Sequence, residues 1–224
     1  MERLGLRLVR EVNDFSAPLG FRYIAKRNMF VRNTEYGFDA FLWTSHPALS
    51  GDVMGQQYSL LAMLRHNAVD NVVNQLGLIY GEENQKFSST VCSALELFPP
   101  SNARQYSYFL ADSASDADLA GVAQSIAVAV KEDACPFFER YSSLTECAIG
   151  LNSSPRANTH FLFNNLERRM YYSIATAHLA GLSEFDLLLE QWTGVCSELL
   201  PENTRAGAQK KVSRLLEILE ISRA

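Results

Sequence analysis

The chain lacks any apolar run long enough to cross a membrane. Its opening stretch, MERLGLRLVREVNDF, interrupts its apolar positions with charges where a secretory signal would keep a continuous core. These two absences predict a soluble, cytoplasmic protein with no membrane contact. Cysteine is sparse as well: Cys92, Cys135, Cys147 and Cys196 lie far apart, with no CxxC pair and no clustered histidines, so the spacing does not build a zinc site. They read as small buried hydrophobes in a reducing compartment.

Ready-made catalytic motifs are missing too. There is no HExxH arrangement, no GxSxG elbow, no lysine in the Walker position after SGDVMG, and no GxGxxG following a strand. SGDVMG therefore reads as a flexible loop joining strands, and neither a cofactor nor a metal is expected. Adjacent acids such as Glu82-Glu83 and Glu132-Asp133 show no partner that would separate their pKa values, so they read as solvated pairs. The net charge of -5 argues against a general nucleic-acid binder, because affinity for a phosphate backbone depends on concentrated positive charge.

What is present is the composition of a folded protein: 224 residues, 47% hydrophobic and 20% charged, enough to bury a substantial core. Leu4, Leu8, Val12 and Phe15 recur at helical spacing and predict a helix over 3–17, ended by Pro18 and Gly20. From Phe21 the period changes to two, predicting a hairpin with a tight turn at KRN and a positive φ at Asn28. A further strand is expected over 37–45, then a loop containing Pro47, Gly51 and Gly55, a strand over 57–65, and a helix over 67–76 stopped by Gly77. KFSSTVCSALEL and QYSYFLAD read as two more strands separated by FPPSNA.

Beyond DSASDAD the pattern is helical. Helices are expected over 116–133 with a cap at Ser115 or Asp116, in PFFERYSSLTECAIGL, and over 159–180 after an SSPRAN linker; two more cover 183–199 and 204–222. The predicted class is α+β, a largely antiparallel sheet with covering helices followed by an all-helical half. The expected division is 1–112 and 113–224, packed as one compact unit.

Three groups of residues are candidates for binding. Residues 182–202 carry Glu184, Asp186, Glu190, Glu198 and Glu202 with no Lys or Arg, so together with Trp192 they suit a basic protein partner. Arg22, Lys26 and Arg27, with Tyr23 and Phe30 between and beside them, suit single-stranded nucleic acid, although alternating residues of a wet and dry hairpin explain the same pattern. Arg168 and Arg169, beside Tyr171 and Tyr172, suit an anion; alternatively Met170, Ile174 and Ala177 pack inward while one arginine pairs with an acid. An enzyme would have to assemble its site from distant residues, with His66, His160 or His178 as base and Arg168 or Arg169 beside it.

A helix leading into LGFRYIAKRNMFVR, then strands, MLRHNAVDNVVNQLG and PFFERYSSL, resembles small uncharacterised bacterial α+β proteins, some of which sit among the immunity proteins of polymorphic toxin systems. The resemblance covers roughly residues 1–150 and rests on packing motifs, so it carries over no functional residue. It implies a non-catalytic protein that binds and blocks a toxin.

Overall fold

The computed structural model describes residues 4–97, 106–157, 162, 163 and 165–220. It is an α+β protein. Its strands are β1 (Arg22–Ile24), β2 (Met29–Asn33), β3 (Gly37–Ser50), β4 (Val53–His66), β5 (Val91–Ala94) and β6 (Ser107–Ala111). Its helices are α1 (Leu4–Ser16), α2 (Asn67–Val73), α3 (Glu82–Gln85), α4 (Asp116–Ala129), α5 (Cys135–Tyr141), α6 (Leu144–Asn152), α7 (Leu166–Leu179), α8 (Phe185–Leu199) and α9 (Glu202–Ile218). The sheet runs β1-β2-β3-β4-β5, with β6 also pairing β4; the β1/β2, β2/β3 and β4/β6 pairs are antiparallel. Two compact units divide the chain: Met1–Met63 with Ser93–Glu139, and Leu64–Cys92 with Arg140–Ala224.

In the first unit α1 packs on α4, with Leu8, Val12, Leu119 and Ile126 buried and Arg7 paired to Asp116. Ser115 caps α4 through a capping box with Asp118. The β1–β2 turn is a single 3-10 turn, Ala25–Arg27, closed by Asn28 at φ 50°, the left-handed conformation that asparagine tolerates. Alternation fails in β2, where Met29, Phe30 and Val31 are all buried. Phe30 stacks on Phe41 with centroids 4.7 Å apart, and Phe21 meets Phe41 edge-on at 5.1 Å. Arg32 donates to the buried Asp39 at 2.7 Å and lies 4.8 Å over the Phe21 ring.

The loop expected around Pro47, Gly51 and Gly55 is not a loop. β3 runs through Pro47 and β4 through Gly55, leaving only Gly51 and Asp52 between the strands. Gly55 stands in β4 because β6 crosses it closely: an added Cβ would fall on the Leu110 carbonyl oxygen and lie 2.6 Å from the Phe109 ring. α4 and α5 are joined by a π-helical segment, Val130–Ala134, which widens the turn just before Pro136 and lets the helix pass that proline.

In the second unit α7 is central. It packs against α2, α6, α8 and α9, and its residues from Arg169 to Ala177 are all buried, as expected of a helix covered on every side. It begins at Leu166, later than expected, because Asn165 accepts the Arg168 amide at 2.8 Å and fixes the start; Thr159 lies outside the described residues, as do FPPSNA, His160 and Ser222. PFFERYSSLTECAIGL is divided, since Ser143 caps a new helix, α6. Glu184, not Ser183, holds the N-cap position of α8.

Candidate functional site

α8 leaves one side open. Asp186, Leu187, Glu190, Gln191 and Gly194 line a groove of about 750 Å³ together with Arg156 from the turn after α6. Leu187 is 54% exposed, while Asp186 and Glu190 are exposed on either side of it in sequence. Arg156 is the groove's cation and is already engaged: Glu198 holds it through both carboxylate oxygens, one at 3.1 Å, which lowers the Glu198 pKa. Glu184 is exposed at the start of the helix and Glu202 in the first turn of α9.

Trp192 does not belong to this open side. It is fully buried, its Nε1 donates to Asn152 Oδ1 at 2.7 Å, and Arg169 lies 5.1 Å over its ring. Trp192 anchors α8 to its own unit, so the exposed side carries Asp186, Leu187, Glu190 and Glu198 without it. Sequence reasoning missed Leu187 because one leucine in the run FDLLLEQW is not distinguishable from its neighbours until the helix phase is fixed.

The arginines of α7 turn inward, Arg169 buried and Arg168 half-buried, and among the described residues Arg168 Nε and Arg169 Nε and Nη1 make no hydrogen bond. Arg169 is buried and its Nη2 donates to the carbonyls of Ser154, Pro155 and Ala157, at 2.6 Å for Pro155; burial lowers its pKa. Arg168 stacks 5.4 Å from Phe163. Neither pairs with an acid of the acidic helix. In the hairpin, Arg22 and Lys26 are exposed and Arg27 half-buried, but Phe30 is only 1% exposed. Tyr23 is half-buried, packs 5.1 Å from Phe30 and donates to Asn28 Oδ1 at 2.9 Å. The hairpin thus offers cations with little open aromatic face for a base to stack on.

A second group of polar residues, joined by no motif or spacing, converges on Asp70. Asp70, on α2, is fully buried and accepts from Ser88 Oγ at 2.6 Å, Thr90 Oγ1 at 2.6 Å and Tyr172 OH at 3.0 Å. Arg65 Nη1 lies 3.6 Å from Asp70 Oδ1 and donates to the Gln85 carbonyl at 2.6 Å and Ser88 Oγ at 2.7 Å. Burial pushes the Asp70 carboxyl up, while Arg65 and the three hydroxyls pull it back. Above Arg65 lies a hollow of about 570 Å³ lined by Asn71, Asn74, Gln75 and Gln85, with Glu82 and Lys86. Arg65 directs most of its donors into the protein, so the hollow presents carboxamides to solvent and the network acts as a staple between β4, α2 and α7.

No protein-family model, curated protein or solved structure matches this chain. Chemistry must therefore be judged from the residues. His66 is buried with Nε2 2.8 Å from the Tyr141 carbonyl, His178 packs 5.3 Å from Phe185, and His46 is exposed on β3. Burial raises the pKa of all four thiols, Cys92 to about 11, which keeps them protonated and poor as nucleophiles at neutral pH. Among the described residues no three His, Cys, Asp or Glu side chains come together as a metal site, and no helix is long and apolar enough to cross a membrane.

Proposed function

We propose that the chain is a non-catalytic protein-binding module of the immunity kind, in which the open side of α8 docks a basic protein partner such as a toxin. The observation that carries this reading is the α8 groove: an exposed leucine beside two exposed acids, in a stretch of residues 182–202 without Lys or Arg. An apolar anchor flanked by charge is an arrangement in which burial supplies affinity and electrostatics supplies orientation and encounter rate. The groove's arginine does not cancel that field, because Glu198 neutralises it. A blocker needs shape and affinity, and protonated thiols and inward-facing arginines fit a protein that performs no chemistry of its own. Four free cysteines fit work in a reducing cytoplasm.

The test is capture from host lysate with three baits: the wild type, Asp186→Lys/Glu190→Lys, and Arg22→Glu/Lys26→Glu, each with nuclease treatment and at two salt concentrations. A protein retained at stoichiometric level by the wild type and the hairpin variant, and lost by the α8 variant, is the expected result. Nucleic acid recovered by the wild type and lost with the hairpin variant would overturn the reading.

A further inference from the structure

The hollow above Arg65 has a lining whose hydrogen bonds are only partly used. At its floor is the Arg65 guanidinium, with 7% of the side chain open. Asn67 takes its Nε, and Gln85 and Ser88 take Nη1, while Nη2 makes a single bond, to Asn71 Oδ1 at 3.3 Å, and keeps one N–H over. Around the guanidinium stand four carboxamides, each held at one end. Asn71 is held by Arg65; Gln75 Nε2 donates to the Asn71 carbonyl at 3.0 Å, Gln85 Nε2 to the Ile79 carbonyl at 2.9 Å, and Asn74 Nδ2 to Ser88 Oγ at 3.2 Å. Asn71 Nδ2, Gln75 Oε1 and Gln85 Oε1 have no partner among the described residues. Side chains already fixed in place, with donors and acceptors left over, are what a pre-formed polar site offers a ligand.

Charge decides which polar ligand suits. Asp70 stands 3.6 Å from Arg65 and Glu83 3.0 Å from Lys86, so both cations are balanced, and Glu82 adds a further acid. A phosphate or carboxylate therefore meets no net positive field. A neutral ligand has to answer donors and acceptors side by side, and the hydroxyl group, which does both, matches the two ends of a carboxamide. The volume of about 570 Å³ lies in the range of small-molecule sites and admits a sugar ring. The wall of the hollow reaches Ile79, and the next residue, Tyr80, leaves its ring 87% exposed while its carbonyl accepts Asn84 Nδ2 at 2.9 Å. An aromatic ring kept in water beside a polar hollow suits the C–H face of a sugar, the apolar side of an otherwise polar molecule.

We propose that this hollow is a binding site for a neutral saccharide. Arg65 Nη2 and Asn71 Nδ2 donate to its hydroxyl oxygens, Gln75 Oε1 and Gln85 Oε1 accept from its hydroxyl groups, and the Tyr80 ring lies against its C–H face. The site shares no residue with the α8 groove and does not depend on the function proposed for that helix.

The test is isothermal titration calorimetry of the full chain with glucose, galactose, mannose and N-acetylglucosamine, and with inorganic phosphate and uridine as the charged and the planar alternatives. At least one of the sugars is expected to bind with a Kd of about 1 mM or tighter, and phosphate and uridine are not. Asn71→Asp keeps the acceptor for Arg65 and removes the Nδ2 donors, while Tyr80→Ala removes the ring. Both positions are exposed, so circular dichroism should show both variants folded, and each is expected to weaken sugar binding by about tenfold or more. Asp186→Lys/Glu190→Lys should bind the sugar as the wild type does. Failure of all the sugars, tighter binding of phosphate or uridine, a sugar indifferent to both hollow variants, or a sugar lost by the α8 variant would each overturn the proposal.

Discussion

Replacing Asp70 by alanine should cost the protein more than any surface change, because it leaves Arg65 buried without its counter-charge. At 3.6 Å the pair's attraction is roughly 4–5 kcal/mol at an effective dielectric of about 20, most of it offset by the desolvation of both ions. Removing one partner forfeits the attraction without returning the other ion to water, and the expected loss is about 3–5 kcal/mol. Tyr172→Phe, which deletes one hydroxyl bond to the carboxylate at 3.0 Å, should cost about 1.5–3 kcal/mol. Arg65→Met/Asp70→Leu should cost less than Asp70→Ala, since no unpaired charge then remains. Urea unfolding followed by circular dichroism, extrapolated linearly to water, measures all three. If Asp70→Ala costs less than about 1 kcal/mol, the network is not the staple described, and the double variant has nothing to restore.

Three further outcomes follow from particular contacts. Gly55→Ala should destabilise by about 1–3 kcal/mol in the same urea assay, because its Cβ meets the Leu110 backbone; an unchanged midpoint would place β6 in another register. The thiols should react slowly with a disulfide reagent at neutral pH in the folded protein and rapidly in denaturant, and a fast native thiol would contradict the upward shifts. Stability should fall with alkaline pH: the folded state holds the Cys92 proton up to about 11 and the Tyr141 proton up to about 12, against ordinary values of 9.0 and 10.0. The unfolded chain thus ionises first, and the loss begins near pH 9 and continues through the folded values. A thermal midpoint that rises between pH 8 and pH 10.5 would refute that sign.

Local signals in the sequence carried far where short-range chemistry decides the structure. Asn28 at positive φ, the Ser115 cap and the Gly77 stop all follow from a few neighbouring residues, and each is in place. The α+β class follows from the change of hydrophobic period along the chain. Judgements that depend on distant neighbours fared differently. Pro47 and Gly55 read as loop residues until the strand crossing at Leu110 shows why glycine is required in a strand. The alternation of β2 disappears because both of its faces are covered, and Trp192 could not be assigned to the inner side of α8 before its bond to Asn152 was known. Asp70, Ser88, Thr90 and Tyr172 span more than a hundred residues, and no spacing rule joins them.

Docking on α8 is read out by hydrogen exchange of the full chain with and without its captured basic partner. The bound partner should slow exchange over residues 185–199 and leave residues 22–32 unchanged. Protection confined to residues 22–32, with α8 exchanging as in the free protein, would contradict it.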